Sequence, residues 1–318
     1  MYVTQTNTGI SVLMTAVVNF AVSNGWTVVV DQVEGTGRRV TLTKIAGMYV
    51  TLRSYQNEPS IITGVESGVN TGIAIILSPT NAAGLANANT TWTETTACII
   101  INPTANYTYH LMSTSDGNNI TVGIVTYLIN NPEYQISMVS GFGTSISKTT
   151  NVNEGWYSYG AGVGSNAGAY LNSAVNYNVV NNLSNYQGVA LMANNASQYN
   201  CFLVSMFSTS SFYGASANMY KLASQSGTNG IMSLNSTSVI GAYRYLYDAS
   251  ASSAFANTAL IPTNIFMKHT TVGFNLIGTI PMLWLHNAVP LIYKPGQIVN
   301  MNGQDYCMLH GHAVEVHS

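Results

Sequence analysis

The hydrophobic period of this chain changes once, at Gly25, and does not change back. Before that glycine, Ile10, Leu13, Val17, Phe20 and Ala21 recur at the three- and four-residue spacing of an amphipathic helix. Thr8 stands where an N-cap belongs, and Gly25 stands where a helix takes its stop. From Trp26 to Val30 the residues become β-branched, the chemistry of a strand. No later stretch sustains a helical period. One helix followed by short strands and turn signals predicts an antiparallel β architecture. The expected fold is therefore mainly β: an antiparallel β-sandwich or barrel-like domain with one N-terminal helix and a loop-rich inserted lobe.

The strands and their punctuation divide the chain into three parts. Residues 1–140 carry the helix and a first set of strands, including a hairpin of residues 38–45 and 48–55 joined near Ala46 and Gly47. Further strands are expected at 61–66, 73–78, 97–102, 107–113, 120–129 and 134–139, with a loop at 79–96. The run Ser115, Asp116, Gly117, Asn118 is a strong turn signal between two of them. Residues 141–255 are rich in Gly, Asn, Ser and Tyr and read as an inserted or second lobe, with one buried strand at 201–207. Residues 256–318 supply closing strands at 270–280, 282–285, 290–293 and 297–301, and one or two more from DYCMLHGHAVEV.

Charge is nearly absent. The segment GISVLMTAVVNFAVSNGWTVVVD, residues 9–31, holds no charge before its final residue. Charged residues make up 6% of the chain, against roughly a quarter in ordinary proteins, while the hydrophobic fraction is an ordinary 47%. The polar surface must then be built from Asn, Ser, Thr, Gln and Tyr. With 9 Lys+Arg the chain lacks the cations that neutralise phosphates, which argues against nucleic-acid binding. A net charge of -2 gives little self-repulsion, so such a surface suits packing against copies of itself or other subunits. No apolar run reaches the length of a membrane span. The start MYVTQTNTG lacks the basic region of a signal peptide, so synthesis and assembly in a reducing cytoplasm are expected.

Candidate chemistry is thin. Cys98, Cys201 and Cys307 are odd in number and far apart, which fits buried free thiols and neither a disulfide framework nor a metal knuckle. His310 and His312 share one side of a strand, with Glu315 or His317 near, so a surface metal site is conceivable, but a pair of solvated or interface histidines near a chain end is the expected reading. YGAGVGS at 159–165 misses the dinucleotide fingerprint, because Ser165 stands where its third glycine belongs. Eleven scattered acids leave a glycan hydrolase as a remote alternative that needs two carboxylates across a cleft. No catalytic residue, cofactor or metal is assigned.

The candidate functional residues are those of an interface. The outer face of the helix carries Ser11, Thr15 and Asn19, which a neighbour can cover without desolvating charge. The aromatic run at 154–170, with Trp156, Tyr157 and Tyr159, combines rigid rings with small hydrogen-bonding residues. That composition suits a subunit interface or a cell-surface glycan site.

In order along the chain, several phrases resemble those of tailed-bacteriophage virion proteins. They are NGWTVV after the helix, MYVTLRSY, ITGVESG, YTYHLMSTSDGNNITVGIVTY, YQISMVSGFG, WYSYG, and the closing NLIGTIPMLWLHNAVPLIYKPGQIVNMNGQDYCML. The match is one of texture and order over about two thirds of the chain, and the strands here carry fewer charges than that class. The resemblance implies a non-enzymatic structural subunit of a tail, baseplate or neck. It would be present in several copies in the virion and bound to copies of itself and to other virion proteins. A receptor- or glycan-binding module is the second expectation.

Overall fold

The computed structural model describes residues 1–56, 71–78, 96–100, 106–128, 131–144, 147–148, 155–162, 188–193, 198–203, 260–269, 273–286, 293–309 and 312–317. The predicted elements at 61–66, most of the loop at 79–96, and residues 290–292 lie outside them. The described chain is mainly β, with antiparallel pairing throughout and a single helix.

A strand, β1 (Tyr2–Asn7), comes first, followed by helix α1 (Ile10–Ser23). The helix buries Ile10, Leu13, Met14, Val17, Val18, Phe20 and Ala21, the expected stripe and its flanks. Its N-cap is Gly9 rather than Thr8, with no side-chain cap. Gly9 adopts φ 80° there, a conformation that a threonine avoids. The C-terminus is a Schellman stop: Gly25 at φ 85° donates its N–H to Val22 O at 3.0 Å, and Trp26 donates to Ala21 O at 3.1 Å.

Strands β2 (Thr27–Glu34), β3 (Gly37–Ile45), β4 (Met48–Gln56), β5 (Thr71–Ser78) and β6 (Thr96–Ile100) then form a five-stranded sheet in sequence order. The β3–β4 hairpin turns at Ala46 and Gly47 as its sequence predicts, with Gly47 at φ 83°. Val40, Leu42, Val50, Leu52, Ile73, Ile75 and Leu77 put one face of this sheet into the core beneath α1.

The remaining strands build the larger sheet. In chain order they are β7 (Tyr107–Ser113), β8 (Asn119–Leu128), β9 (Asn131–Gly143), β10 (Ser147–Lys148), β11 (Gly155–Gly162), β12 (Gly188–Ala193) and β13 (Gln198–Leu203). They continue with β14 (Leu260–His269), β15 (Gly273–His286), β16 (Ile298–Met301), β17 (Gln304–Leu309) and β18 (His312–Val316). The spatial order is β1-β7-β8-β9-β11-β12-β13-β14-β15-β18-β17-β16, with β10 beside β15. Among the described strands β1 and β16 are its two ends, so the sheet they form is open and not a closed barrel. β11, β12 and β13, which belong to the segment read as an inserted lobe, lie inside this sheet between β9 and β14. The rest of 141–255 falls outside the described residues, β10 and the end of β9 apart. The two strands expected at 270–280 and 282–285 are one strand, β15. Pro281 and a left-handed Met282 (φ 59°) interrupt its pattern, and its register against β14 shifts there.

The first strands of the large sheet are covered on both faces. Tyr107, Tyr109, Leu111, Ile120, Val122, Ile124, Phe142 and Trp156 pack with α1 and the five-stranded sheet. Met112, Val125, Val139, Tyr157 and Tyr159 point the other way, onto Ile280, Met282, Leu283, Cys307, Leu309 and Val314. The sheet thus folds back so that its own last strands cover the outer face of β7 to β11. Burial on both faces explains why YTYHLMS and ITVGIVTYL read as near-continuous apolar runs instead of alternating.

Candidate interaction surface

The first charged side chain in the chain is Asp31, and the two elements before it lie side by side. β1 pairs with β7 through every residue from Tyr2↔Met112 to Asn7↔Tyr107. The chain turns at Thr8 and Gly9, and α1 runs back along it. At one end Tyr107 Oη donates to Gly9 O at 2.7 Å. At the other, Ser113 Oγ donates to Asn24 Oδ1 at 2.7 Å, and Ser113 N donates to Met1 O at 3.1 Å. The turn after β7 locks the same corner: Lys44 Nζ donates to Asn24 O and Asp116 O, each at 2.8 Å, and Trp26 Nε1 donates to Gly117 O at 3.0 Å.

The exposed side chains of both elements are uncharged. Ser11, Val12, Thr15, Asn19, Val22 and Ser23 face outward on α1, and Val3, Thr4, Gln5 and Thr6 on β1. The helix has no acid in its first turn and no base in its last. The interface residues expected on the helix are therefore at the surface. Beside them is Arg38, whose Nη1 reaches Thr15 Oγ1 at 3.4 Å while its Nε and Nη2 hold Asp31 at 2.7 and 2.6 Å. That fork of hydrogen bonds lowers the Asp31 carboxyl below its usual range and raises the guanidinium, so the two charges neutralise each other at the surface. β1 itself was not predicted from sequence. Its signal is the β-branched Val3, Thr4 and Thr6 ahead of the break at Thr8 and Gly9.

The aromatic half of the expected interface is corrected. Trp156, Tyr157 and Tyr159 are 1%, 1% and 0% exposed, so none presents a ring to a neighbour. Strand alternation sends Trp156 to one core and the two tyrosines to the other. Each polar tip is satisfied inside: Trp156 Nε1 donates to Tyr49 O at 3.0 Å, Tyr157 Oη donates to Asn119 Oδ1 at 3.0 Å, and Tyr159 Oη pairs with Thr121 Oγ1 at 2.8 Å. Burial raises both phenols well above their ordinary range. The rest of the run at 163–170 lies outside the described residues.

The other candidates stay structural where they are described. Cys307 is a buried free thiol, pushed up to about 12 by burial. His312 is buried on β18, while His310 lies outside the described residues, and no group of three metal-ligating side chains occurs among those described. Glu34 bridges Arg39 at 2.8 Å and Arg53 at 3.0 Å, and Asp116 closes its own turn through Thr114 and Asn118. No helix among the described residues is long and apolar enough to cross a membrane. In comparison with known proteins, no family model matches the chain and no curated protein does.

Proposed function

We propose that this chain is a non-enzymatic structural subunit of a tailed-phage virion, of the tail, baseplate or neck, assembled in the host cytoplasm through neutral polar surfaces. The observation that carries this reading is the absence of charged side chains on the exposed residues of α1 and β1, which sit on a sheet whose first strands are buried on both faces. Burying Ser, Thr, Asn and Gln against a neighbour costs far less than burying ions, and each such group readily finds a partner. Order of phrases along the sequence supplies the virion context. The partners are copies of this chain and other virion proteins.

The test is electron microscopy of the purified protein together with immunogold labelling of intact particles. Regular oligomers, and label at one level of the tail or neck, are the expected result. Unlabelled particles combined with a specific signal on a glycan array would overturn it in favour of a receptor-binding module. That second reading rests on the Tyr/Asn/Gly-rich middle, of which Trp156, Tyr157 and Tyr159 are buried while residues 163–187 and 204–259 lie outside the described residues.

A further inference from the structure

We infer that Asn302 is a site of spontaneous covalent modification, deamidating through attack by the backbone nitrogen of Gly303, while Asn24, in the same Asn-Gly dipeptide, is protected by the fold.

The chain holds Asn-Gly at 24–25, 229–230 and 302–303, and the middle pair lies outside the described residues. Glycine matters because it has no Cβ to screen its nitrogen from the preceding side chain. The glycine nitrogen loses its proton to solvent and bonds to the asparagine Cγ. The Cγ–Nδ2 bond breaks, and ammonia leaves behind a cyclic imide. Water then opens the ring. Opening at Cγ gives aspartate, and opening at the main-chain carbonyl gives isoaspartate. Water is the one co-reactant.

The fold treats the two described sites differently. Asn24 closes α1, and its carboxamide is held at both ends: Nδ2 donates to Phe20 O at 2.7 Å, and Oδ1 accepts from Ser113 Oγ at 2.7 Å. Its main-chain oxygen accepts from Lys44 Nζ at 2.8 Å. Gly25 N, the nitrogen that would attack, donates to Val22 O at 3.0 Å. Turning that carboxamide onto Gly25 breaks several hydrogen bonds together.

Asn302 and Gly303 are the central pair of the hairpin between β16 and β17, at φ 54° and 86°, as a type I′ turn requires. Both are exposed. A Cβ on Gly303 would meet nothing within 4 Å, so an imide ring has room to form. The hydrogen bonds of the turn bypass the Asn302 carboxamide. Gly303 N donates to Asn300 Oδ1 at 3.2 Å, and Asn300 Nδ2 donates to Asp305 Oδ1 at 2.7 Å. Asn300 therefore sets the pace, because it holds the attacking nitrogen by one long hydrogen bond. Either product adds a carboxylate close to Asp305. Isoaspartate also adds a methylene to the main chain, at the two-residue turn that sets Met301 opposite Gln304.

Peptide mapping by mass spectrometry tests this on the folded protein, aged in mildly alkaline buffer at physiological temperature. Isoaspartyl carboxyl methyltransferase with labelled S-adenosylmethionine serves as the probe for isoaspartate. Asn302 should convert at least tenfold faster than Asn24, with methyl label on its peptide. In unfolding urea the two rates should converge, since the hydrogen bonds around Asn24 are then lost. Asn300→Ala should raise the Asn302 rate at least threefold and leave Asn24 unchanged. If Asn24 converts as fast as Asn302 in the folded protein, or Asn302 stays intact while the urea-unfolded chain reacts, the proposal is overturned. A wild-type rate in Asn300→Ala would overturn the role given to Asn300.

Discussion

Two glycines on β9 decide where the tyrosines of β11 go. Gly141 is paired with Tyr159 and Gly143 with Tyr157. A Cβ on Gly141 would lie 2.5 Å from the Tyr159 ring, and one on Gly143 would lie 2.8 Å from that of Tyr157. The rings lie over the glycine backbone and stack at 6.1 Å. Gly141→Ala should therefore destabilise the fold by about 1–3 kcal/mol, read as a lower urea midpoint. Ser158, between the two tyrosines, is 0% exposed, and its hydroxyl has no hydrogen-bond partner among the described residues. Ser158→Ala should be neutral or stabilising, since it removes a buried donor and leaves no orphan behind. These three positions show why the interface reading of the aromatics failed. Gly, Ser and Tyr compose a paratope and a tightly packed strand pair equally well, and only the cross-strand register tells them apart.

His110 gives the residue scale a pH dependence. It is buried between β1 and the loop before β16: Tyr2 Oη and its Nδ1 are hydrogen-bonded at 2.9 Å, and a Cβ on Gly296 would lie 2.6 Å from its Nε2. Burial pushes the imidazole down to about 4, from an ordinary 6.5. The neighbouring titratable groups, Tyr2 and Cys307, are each pushed up to about 12 and stay neutral. Between those two histidine values the unfolded chain binds the proton and the folded one does not. Stability is thus fully present above pH 6.5 and falls as the pH drops toward 4, by on the order of 3 kcal/mol. Melting temperatures across that window should fall in wild type and stay flatter in His110→Gln.

At the scale of elements, the helix and most strands of the first half are written locally. α1 is set by its stripe and by Gly25, the β3–β4 hairpin by Gly47, and the β7–β8 turn by Asp116 and Gly117. β1 was missed because an exposed, uncharged edge strand has no buried face to impose a period. β15 was split because Pro281 and Met282 look like a break, whereas the strand continues past them to pair with β18. Pairing across the five-stranded sheet adds a constraint no local window shows. Arg39 lies directly opposite Arg53, and like charges so placed repel. Glu34 on β2 reaches both. Glu34→Ala should cost about 3–5 kcal/mol, measured by denaturant unfolding, because it leaves two buried guanidinium groups without their shared carboxylate.

Across the whole molecule, low charge and double-sided burial belong to one design. Strands covered on both faces need apolar residues at nearly every position, which leaves little room for ions. The surface that remains among the described residues is largely neutral, and the outward residues of α1 and β1 carry no charged side chain. Composition made the proposed tendency to assemble legible; which elements lie at the surface required the topology. The most direct measurement is light scattering after size exclusion on wild type and on the double variant Thr15→Lys with Asn19→Glu. Wild type should elute as a multimer, and the variant as a monomer with an unchanged melt. A variant that assembles as wild type does would contradict the claim that these residues form the assembly surface.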